Sequence, residues 1–214
     1  MVYTTVHLIR HGEVYNPDRV LYGRLAGYPL SARGREMAER VASTLREQGA
    51  DIVDVTASPL LRAQQTATPI AEGFGLELGT DERVIEAGNH FEGTSVAKDP
   101  THLLRPARMV KLVNPWKPSW GEPYVEVIER MTAAIREARA RAAGHEAVLV
   151  SHQLPIWTMR RHLEGRSMVH DPRKRNTTLA SITSLTFDDG TLITVDYAEP
   201  CRDLLPDTST AVLP

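Results

Sequence analysis

The feature that most constrains the fold is an apolar run at the start of the chain that ends in a basic pair. Residues Val2–Ile9 have the composition of a buried β-strand, and Arg10, His11 and Gly12 follow directly. Ligands of open α/β sheets bind at the carboxyl ends of strands, so we expect Arg10 and His11 at a ligand-binding edge. Gly12 would allow a sharp turn or the close approach of a ligand. A polar loop that only caps the sheet is the alternative at this point.

Strand-like and helix-like segments alternate along the rest of the chain. The pattern predicts strands at residues 52–56, 76–78 and 147–150, helices at residues 31–48, 60–72, 122–143 and 155–163, and a hairpin of residues 181–187 and 192–197. Asp189 and Gly190 favour a tight turn within that hairpin. The alternation predicts a three-layer α/β/α sandwich with a mostly parallel central sheet. In the third helix, Val125, Ile128 and Met131 are expected on the buried face.

We expect a single domain that spans residues 1–199. Residues 81–120 show no sustained period, and we interpret them as an inserted lid or specificity segment, because long irregular stretches in compact domains usually carry function. Residues 200–214 contain Pro and Thr and are predicted to form a C-terminal tail.

Charge and cysteine content limit the classes of partner. The 214 residues carry a formal net charge of −2, which disfavours nucleic acid and anionic membranes as partners. The single cysteine, Cys201, cannot form an intrachain disulfide. No metal-binding motif or membrane-spanning apolar stretch occurs in the sequence, and a signal peptide is not expected. A cytoplasmic protein without a metal or another cofactor is therefore expected.

Three predicted strand ends carry basic side chains. Arg10 and His11 follow the first strand, Arg62 lies one turn beyond the second, and His152 follows the strand at residues 147–150. The carboxyl ends of parallel strands lie at one edge of a sheet, so we expect these four groups to converge. Two guanidinium groups and two imidazoles form a pocket that suits phosphate.

The segments that carry these residues resemble motifs of the histidine phosphatase superfamily, also called the phosphoglycerate mutase-like superfamily. Residues 8–13, L-I-R-H-G-E, together with Asn16 resemble its RHGExxN signature. Residues 58–67, S-P-L-L-R-A-Q-Q-T-A, are similar to SxLxRAxxTA, and residues 150–152, V-S-H, resemble the third motif. Gly121 and Glu122 match the Gly-Glu pair before the long helix. The resemblance covers Val2 to Tyr197 and implies the α/β fold already predicted.

The resemblance implies a phosphoric monoester hydrolase that needs no metal. His11 would attack the phosphorus of a phosphomonoester and form a phosphohistidine intermediate. Arg10, Arg62 and His152 would neutralise the phosphoryl oxygens, and Asn16 would donate a further hydrogen bond.

The resemblance also implies a general acid in the segment after the third strand. Glu86 is our first choice, Glu92 the second and Glu82 the third, and Glu92 has the alternative role of fixing the loop. Tyr22 and Arg24 lie on the loop predicted to border the pocket, where they contact substrate or serve only in packing. Gln153 stands where the family commonly has glycine and is a further candidate for substrate binding.

Two other activities remain open at this stage. A mutase of the phosphoglycerate mutase type is an alternative phosphoryl transferase, and a non-catalytic protein that binds a phosphorylated ligand is the second alternative. The expected ligand in each case is a small phosphorylated metabolite. Its identity and the oligomeric state are not predicted by the sequence, and a homodimer is one of the open alternatives.

Overall fold

The computed structural model describes residues 2–89, 92–94, 121–168 and 175–205 and contains a mixed β-sheet. Its strands are β1 (Tyr3–Arg10), β2 (Ile52–Ala57), β3 (Leu78–Thr80), β4 (Glu146–Ser151), β5 (Ile182–Asp188) and β6 (Thr191–Ala198). The spatial order is β3-β2-β4-β1-β5-β6. The pairs β3–β2, β2–β4 and β4–β1 are parallel, whereas β5 runs antiparallel to both β1 and β6. The predicted mostly parallel sheet is confirmed.

Helices cover both faces of this sheet. They are α1 (Ala32–Glu47), α2 (Leu61–Phe74), α3 (Tyr124–Arg141) and α4 (Gln153–Leu163). One core cluster joins α1 and α2 to the sheet and includes Met37 and Ile70, and the other joins α3 and α4 to it and includes Met131 and Ile156. The sandwich of three layers is therefore confirmed. Single 3-10 turns lie at Glu82–Val84 and Arg202–Leu204.

Local sequence signals explain where several elements begin and end. The side chain of Ser31 accepts a hydrogen bond from the backbone N–H of Gly34, so it caps α1 as expected. Gly75 ends α2 in the left-handed conformation. Asp189 and Gly190 both have positive φ angles, of 44° and 87°, which is the backbone that a tight hairpin between β5 and β6 requires.

Gly12 allows a close packing contact that the sequence did not predict. A Cβ at this position would lie 2.5 Å from the carbonyl oxygen of Gly34, in the first turn of α1. The backbone N–H of Gly12 donates to Oγ1 of Thr66 on α2, at 3.1 Å. The absence of a side chain therefore lets the end of β1 pack directly against two helices.

The buried face of α3 differs from the prediction at its first turn. Val125 is 58% exposed, and Tyr124 and Val127 are buried in its place, followed by Met131. The expected face was therefore wrong at Val125, because Tyr124 and Val127 lie seven and four residues before Met131, on the same face of the helix, whereas Val125 does not.

Two predicted segments are only partly covered by the description. Of residues 81–120, the structure describes 81–89 and 92–94, so most of the predicted lid lies outside the described residues. Residues 200–205, the start of the predicted tail, are packed: Cys201 is 1% exposed and its thiol donates to the carbonyl of Met37. The rest of that tail also lies outside the description. Within the described ranges, none of the helices has the length and apolar character needed to cross a membrane.

Candidate active site

The carboxyl ends of β1, β2 and β4 meet at one edge of the sheet. Arg10 pairs in register with Ser151 across β1 and β4, and the backbone N–H of His11 donates to the carbonyl of Ser151 at 3.1 Å. On the other side, the N–H of Ser58 donates to the carbonyl of Val150 at 2.9 Å. Main-chain hydrogen bonds thus fix the segments that carry the predicted site residues.

His11 is the most constrained of these residues. Its side chain is buried, with 1% exposure, and Nδ1 lies 2.8 Å from the carbonyl oxygen of Gly12. A carbonyl only accepts, so Nδ1 carries the proton and Nε2 keeps its lone pair. Burial, together with Arg62 and Arg10, lowers the pKa of His11 well below its usual value. The ring is therefore neutral at neutral pH and nucleophilic at Nε2.

His152 lies beside this nucleophile, at a distance of 5.1 Å between ring centroids. It is fully buried, and its Nε2 is 2.8 Å from Oγ of Ser58. Burial, with Arg62 and His11 nearby, lowers the pKa of His152 well below its usual value. Both imidazoles are thus neutral, and the positive charge comes from the arginines.

Arg10 and Arg62 supply that charge. The η1 nitrogen of Arg10 donates to the carbonyl of Thr177 at 2.6 Å, and the η2 nitrogen of Arg62 donates to the carbonyl of Gly23 at 2.6 Å. The Arg62 guanidinium also lies 4.7 Å from the ring centre of Tyr22. Burial lowers the pKa of both arginines, yet a guanidinium stays protonated in proteins.

Three buried nitrogens of this group lack a hydrogen-bond partner in the part of the chain that the structure describes. They are Nε of Arg10, Nε of Arg62 and Nδ1 of His152. Buried polar nitrogens are normally satisfied, so such a cluster calls for a ligand that accepts hydrogen bonds. A phosphate group meets that requirement and also neutralises the two guanidinium charges.

Glu86 lies in the same electrostatic environment. Its half-buried carboxyl interacts with Arg62, Arg10 and Arg175, and burial raises its pKa above the usual value despite those cations. Its backbone carbonyl accepts a hydrogen bond from Nε of Arg24 at 2.6 Å. A carboxyl with a raised pKa beside a phosphate-binding pocket is suited to general acid catalysis.

The other two candidate acids have different surroundings. Glu92 accepts a hydrogen bond from the N–H of Asn89 at 3.2 Å and fills the space beside Gly23, where a Cβ would collide with it. These contacts fix the loop, as the alternative reading of Glu92 expected. Glu82 is exposed in the 3-10 turn. Of the three, Glu86 interacts with both Arg10 and Arg62.

The remaining predicted residues form the border of the pocket. Tyr22 lies 6.5 Å from His11 between ring centroids. Arg24 is exposed and bridges the Glu86 carbonyl to the carboxylate of Glu122. Substrate-binding roles for Tyr22 and Arg24 stay predictions.

Asn16 and Gln153 make contacts with the protein itself. The amide of Asn16 donates to the carbonyl of Val20 and accepts from its N–H, at 2.8 and 3.0 Å, so it stabilises its own loop. Gln153 begins α4 and donates to the carbonyl of Thr177 at 3.4 Å. Their proposed contacts with phosphate or substrate also stay predictions.

Three further groups were missed by sequence reasoning. Ser58 stands within the second motif, and its position at the end of β2 was a usable signal for a partner of His152. The carbonyl of Thr177 holds Arg10, and a backbone contact of this kind leaves no trace in a sequence. Arg175 has no motif of its own in the sequence.

Comparisons with known proteins agree with this geometry. The family model described as histidine phosphatase superfamily (branch 1) matches residues 6–199. The chain is 51% identical to the uncharacterized protein Rv0525 of Mycobacterium tuberculosis over 197 residues, which are 92% of this chain and 96% of the relative. It is 34% identical to the probable phosphoglycerate mutase GpmB of Yersinia enterocolitica over 158 residues, 71% of this chain and 70% of the other.

Solved structures share the fold. YhfR of Bacillus stearothermophilus superposes with a TM-score of 0.74 at 24% identity and covers 89% of this chain and 95% of its own. A mycobacterial glucosyl-3-phosphoglycerate phosphatase superposes with a TM-score of 0.71 at 24% identity and covers 92% and 96%. At this level of identity, the likeness supports the architecture.

Proposed function

The chain belongs to the histidine phosphatase superfamily, and from this premise we propose that it is a phosphatase that hydrolyses a phosphomonoester through a phosphohistidine intermediate on His11. The observation that carries the proposal is the free Nε2 of a neutral, buried His11 between Arg10 and Arg62. A neutral imidazole attacks phosphorus, and two fixed guanidinium groups attract and orient the phosphate that it attacks.

The first half of the reaction transfers the phosphoryl group to the protein. Nε2 of His11 forms the N–P bond while the P–O bond to the alcohol breaks. The leaving oxygen takes the proton of Glu86, so the alcohol departs neutral. Arg10, Arg62 and His152 donate hydrogen bonds to the phosphoryl oxygens, which spread the charge of the transition state.

The second half of the reaction releases phosphate. A water molecule attacks the phosphorus of the phosphohistidine and gives its proton to the Glu86 carboxylate, and the N–P bond breaks. Glu86 thus returns to its acid form, and His11 returns to the neutral tautomer that the Gly12 carbonyl favours. Both proton transfers in this cycle involve Glu86, which gives a proton to the leaving oxygen and later takes one from water.

A mutase is the second candidate, because the chain is 34% identical to a probable phosphoglycerate mutase. In that case the phosphohistidine transfers its phosphoryl group to a second hydroxyl, and the product is a phosphorylated isomer instead of free phosphate. Parallel measurement of free phosphate and of isomer from the same substrate separates the two activities.

The proposal is tested with p-nitrophenyl phosphate in the presence of EDTA. We expect turnover by the wild type and a loss of about a thousandfold or more in His11→Ala. His145→Ala, at an exposed histidine paired with Asp51, is the matched control and should retain activity. Rapid quenching followed by intact-mass measurement should show one added phosphoryl group on the wild type. Equal activity of His11→Ala and wild type would overturn the proposal, and phosphate binding without turnover would favour a binding protein.

A further inference from the structure

The Gly-Glu pair before α3 has no part in the proposed reaction. Gly121 forms an isolated antiparallel bridge with Asn89, and the N–H of Glu122 donates to the carbonyl of Gly88 at 2.9 Å. A Cβ at Gly121 would lie 2.8 Å from that carbonyl oxygen, so glycine permits this close approach. In return, Oε2 of Glu122 accepts from the N–H of Gly88 at 3.4 Å. The pair therefore lies against the segment that follows Glu86, the proposed general acid.

The carboxylate of Glu122 is the common acceptor of two guanidinium groups. Arg130, on α3, donates from Nε to Oε1 at 2.8 Å and from Nη2 to Oε2 at 3.0 Å. Arg24, on the loop after β1, donates to Oε2 at 2.8 Å. The side chains of Glu122 and Arg130 are only 14% and 16% exposed, so water and salt screen this pair little. A contact with two parallel hydrogen bonds fixes geometry as well as charge.

Each arginine also holds the main chain of the segment that carries the acid. Nε of Arg24 donates to the carbonyl of Glu86 itself at 2.6 Å, and Nη1 of Arg130 donates to the carbonyl of Arg83 at 2.6 Å. With the contact to Gly88, the hydrogen bonds lie before, at and after the general acid. The arginines that make two of them are both paired with the carboxylate of Glu122.

The sheet fixes the beginning of this segment. The N–H of Asp81 donates to the carbonyl of Ala57 at the end of β2, at 3.0 Å, and Oγ of Ser151 donates to the carbonyl of Val84 at 2.7 Å. Glu86 lies two residues beyond Val84. Its position relative to the pocket therefore depends also on the contacts with the Gly-Glu pair and its two arginines.

We propose that Glu122 is a positioning residue for the general acid. Through Arg24 and Arg130 it holds residues 83–88 so that the carboxyl of Glu86 reaches the leaving oxygen. This inference rests on the proposed phosphatase function and adds to it the support of the proton donor. Proton transfer requires the donor within hydrogen-bond reach, so a looser segment impairs the step that needs the proton and spares the attack of His11.

Two aryl phosphates of nearly the same shape test this role. Phenol has a pKa of about 10, as the Tyr side chain does, so phenolate is a poorer leaving group than p-nitrophenolate and depends more on the proton of Glu86. kcat/KM is measured for phenyl phosphate and p-nitrophenyl phosphate with the wild type, Glu122→Gln, Glu86→Gln and the double variant. Melting temperatures show whether each variant is folded.

Glu164→Gln is the matched control. Like Glu122, Glu164 is mostly buried, at 19% exposure, and it pairs with two arginines, Arg160 and Arg166, at 2.9 Å each. It lies at the C-terminal end of α4, whereas His152 precedes the other end of that helix. Its substitution thus removes a comparable cluster of ion pairs at the far end of α4 from the pocket.

We expect Glu122→Gln to lower kcat/KM by about tenfold or more on phenyl phosphate and by about threefold or less on p-nitrophenyl phosphate. Glutamine keeps one acceptor oxygen but loses the charge that holds both guanidinium groups. In the Glu86→Gln background the substrate-dependent part of this loss should vanish, because the acid is already absent. Glu164→Gln should keep the wild-type values. Equal losses on both substrates, or a selective loss that persists without Glu86, would overturn the positioning role while the phosphatase function stands.

A variant at the surface serves if Glu122→Gln does not fold. Arg24→Gln removes the hydrogen bond to the Glu86 carbonyl and should show the same selective loss on phenyl phosphate. A substrate contact of Arg24 would instead affect both aryl phosphates alike, and that result would overturn the inference.

The proposed function fails in a different way. A wild type that turns over neither substrate would overturn the phosphatase function, and amide hydrogen exchange of residues 83–89 then decides whether Glu122 fixes this segment. Exchange about tenfold faster there in Glu122→Gln than in the wild type and in Glu164→Gln supports the inference, and unchanged exchange overturns it.

Discussion

The hydroxyl oxygen of Ser58 lies 2.8 Å from Nε2 of His152, and this contact joins the end of β2 to the end of β4. Both residues are fully buried. The hydroxyl thereby fixes the orientation of the ring, and Nδ1 is left as the nitrogen without a partner within the described residues. Ser58 is thus a positioning residue for a group that would bind phosphate.

Loss of this hydroxyl should impair catalysis more than folding. We expect Ser58→Ala to lower kcat/KM by about fivefold, since one hydrogen bond contributes about 1 kcal/mol. Ser184→Ala is the matched control, because Oγ of Ser184 lies 2.8 Å from Nδ1 of His7, within the sheet and away from its carboxyl-end edge. Steady-state kinetics with melting temperatures tests the pair, and equal activity losses in both variants would contradict a positioning role.

The free energy of unfolding should decrease as the pH falls below the usual pKa of a histidine side chain. The folded-state pKa values of His11 and His152 lie well below their usual value, so the unfolded chain binds more protons between that value and the folded pKa. The free energy of unfolding should therefore fall below about pH 6.5, by at most ~1.4 kcal/mol per pH unit for each histidine. Urea unfolding from neutral to mildly acidic pH measures this slope.

Substitution of the two buried histidines identifies the source of that slope. His11→Gln combined with His152→Gln should flatten the pH dependence, whereas His162→Gln, at an exposed position of α4, should leave it intact. A wild-type stability that does not change over this range would show that the two imidazoles are not held neutral.

The penalty for losing Glu86 should depend on the leaving group. Nitrophenolate departs without a proton, while an alkoxide requires one. Glu86→Gln should therefore lower kcat/KM, which reports the steps up to formation of the phosphohistidine, by about a hundredfold or more on an alkyl phosphate and by much less on p-nitrophenyl phosphate. Glu92→Gln is the control, and it should show similar effects on both substrates. The reverse assignment, with the substrate-dependent loss in Glu92→Gln, would make Glu92 the acid.

Substitution of Gly12 should destabilise the protein through backbone contact. A Cβ at Gly12 meets the Gly34 carbonyl at 2.5 Å, and neither main chain moves without disturbing β1 or α1. We expect Gly12→Ala to lower the free energy of unfolding by about 1–3 kcal/mol. Gly73→Ala on α2 should be neutral or stabilising by up to ~1 kcal/mol, because the added methyl meets only the end of the Arg46 side chain. Equal stability of the two variants would contradict this account.

The sequence predicted the residues at the carboxyl ends of β1, β2 and β4 well, because a chemically distinctive side chain stands at or just beyond the end of each strand. Apolar periodicity located β1, β2 and β4, and the parallel arrangement then placed Arg10, Arg62 and His152 together. The buried face of α3 was less predictable, since Val125 and Val127 are both apolar and the helix begins at Tyr124, two residues after the predicted start.

Contacts with main-chain carbonyls that lie far away along the chain could not be predicted from residue patterns. The Thr177 carbonyl that holds Arg10 and the Gly34 carbonyl that fits against Gly12 lie far from their partners along the chain. Arg175 gains its position from Tyr124 and Trp157, which belong to two different helices. Only the assembled tertiary structure shows such relationships.

The position of β1 between β4 and β5 has a consequence for the order of events during synthesis. The strand that leads to His11 is synthesised well before both of its neighbours, residues 146–151 and 182–188. A nascent chain therefore carries His11 on a strand with two unpaired edges until β4 emerges, and with one unpaired edge until β5 follows. A product that stops before the hairpin of β5 and β6 therefore exposes one edge of β1, on the side where β5 would pair.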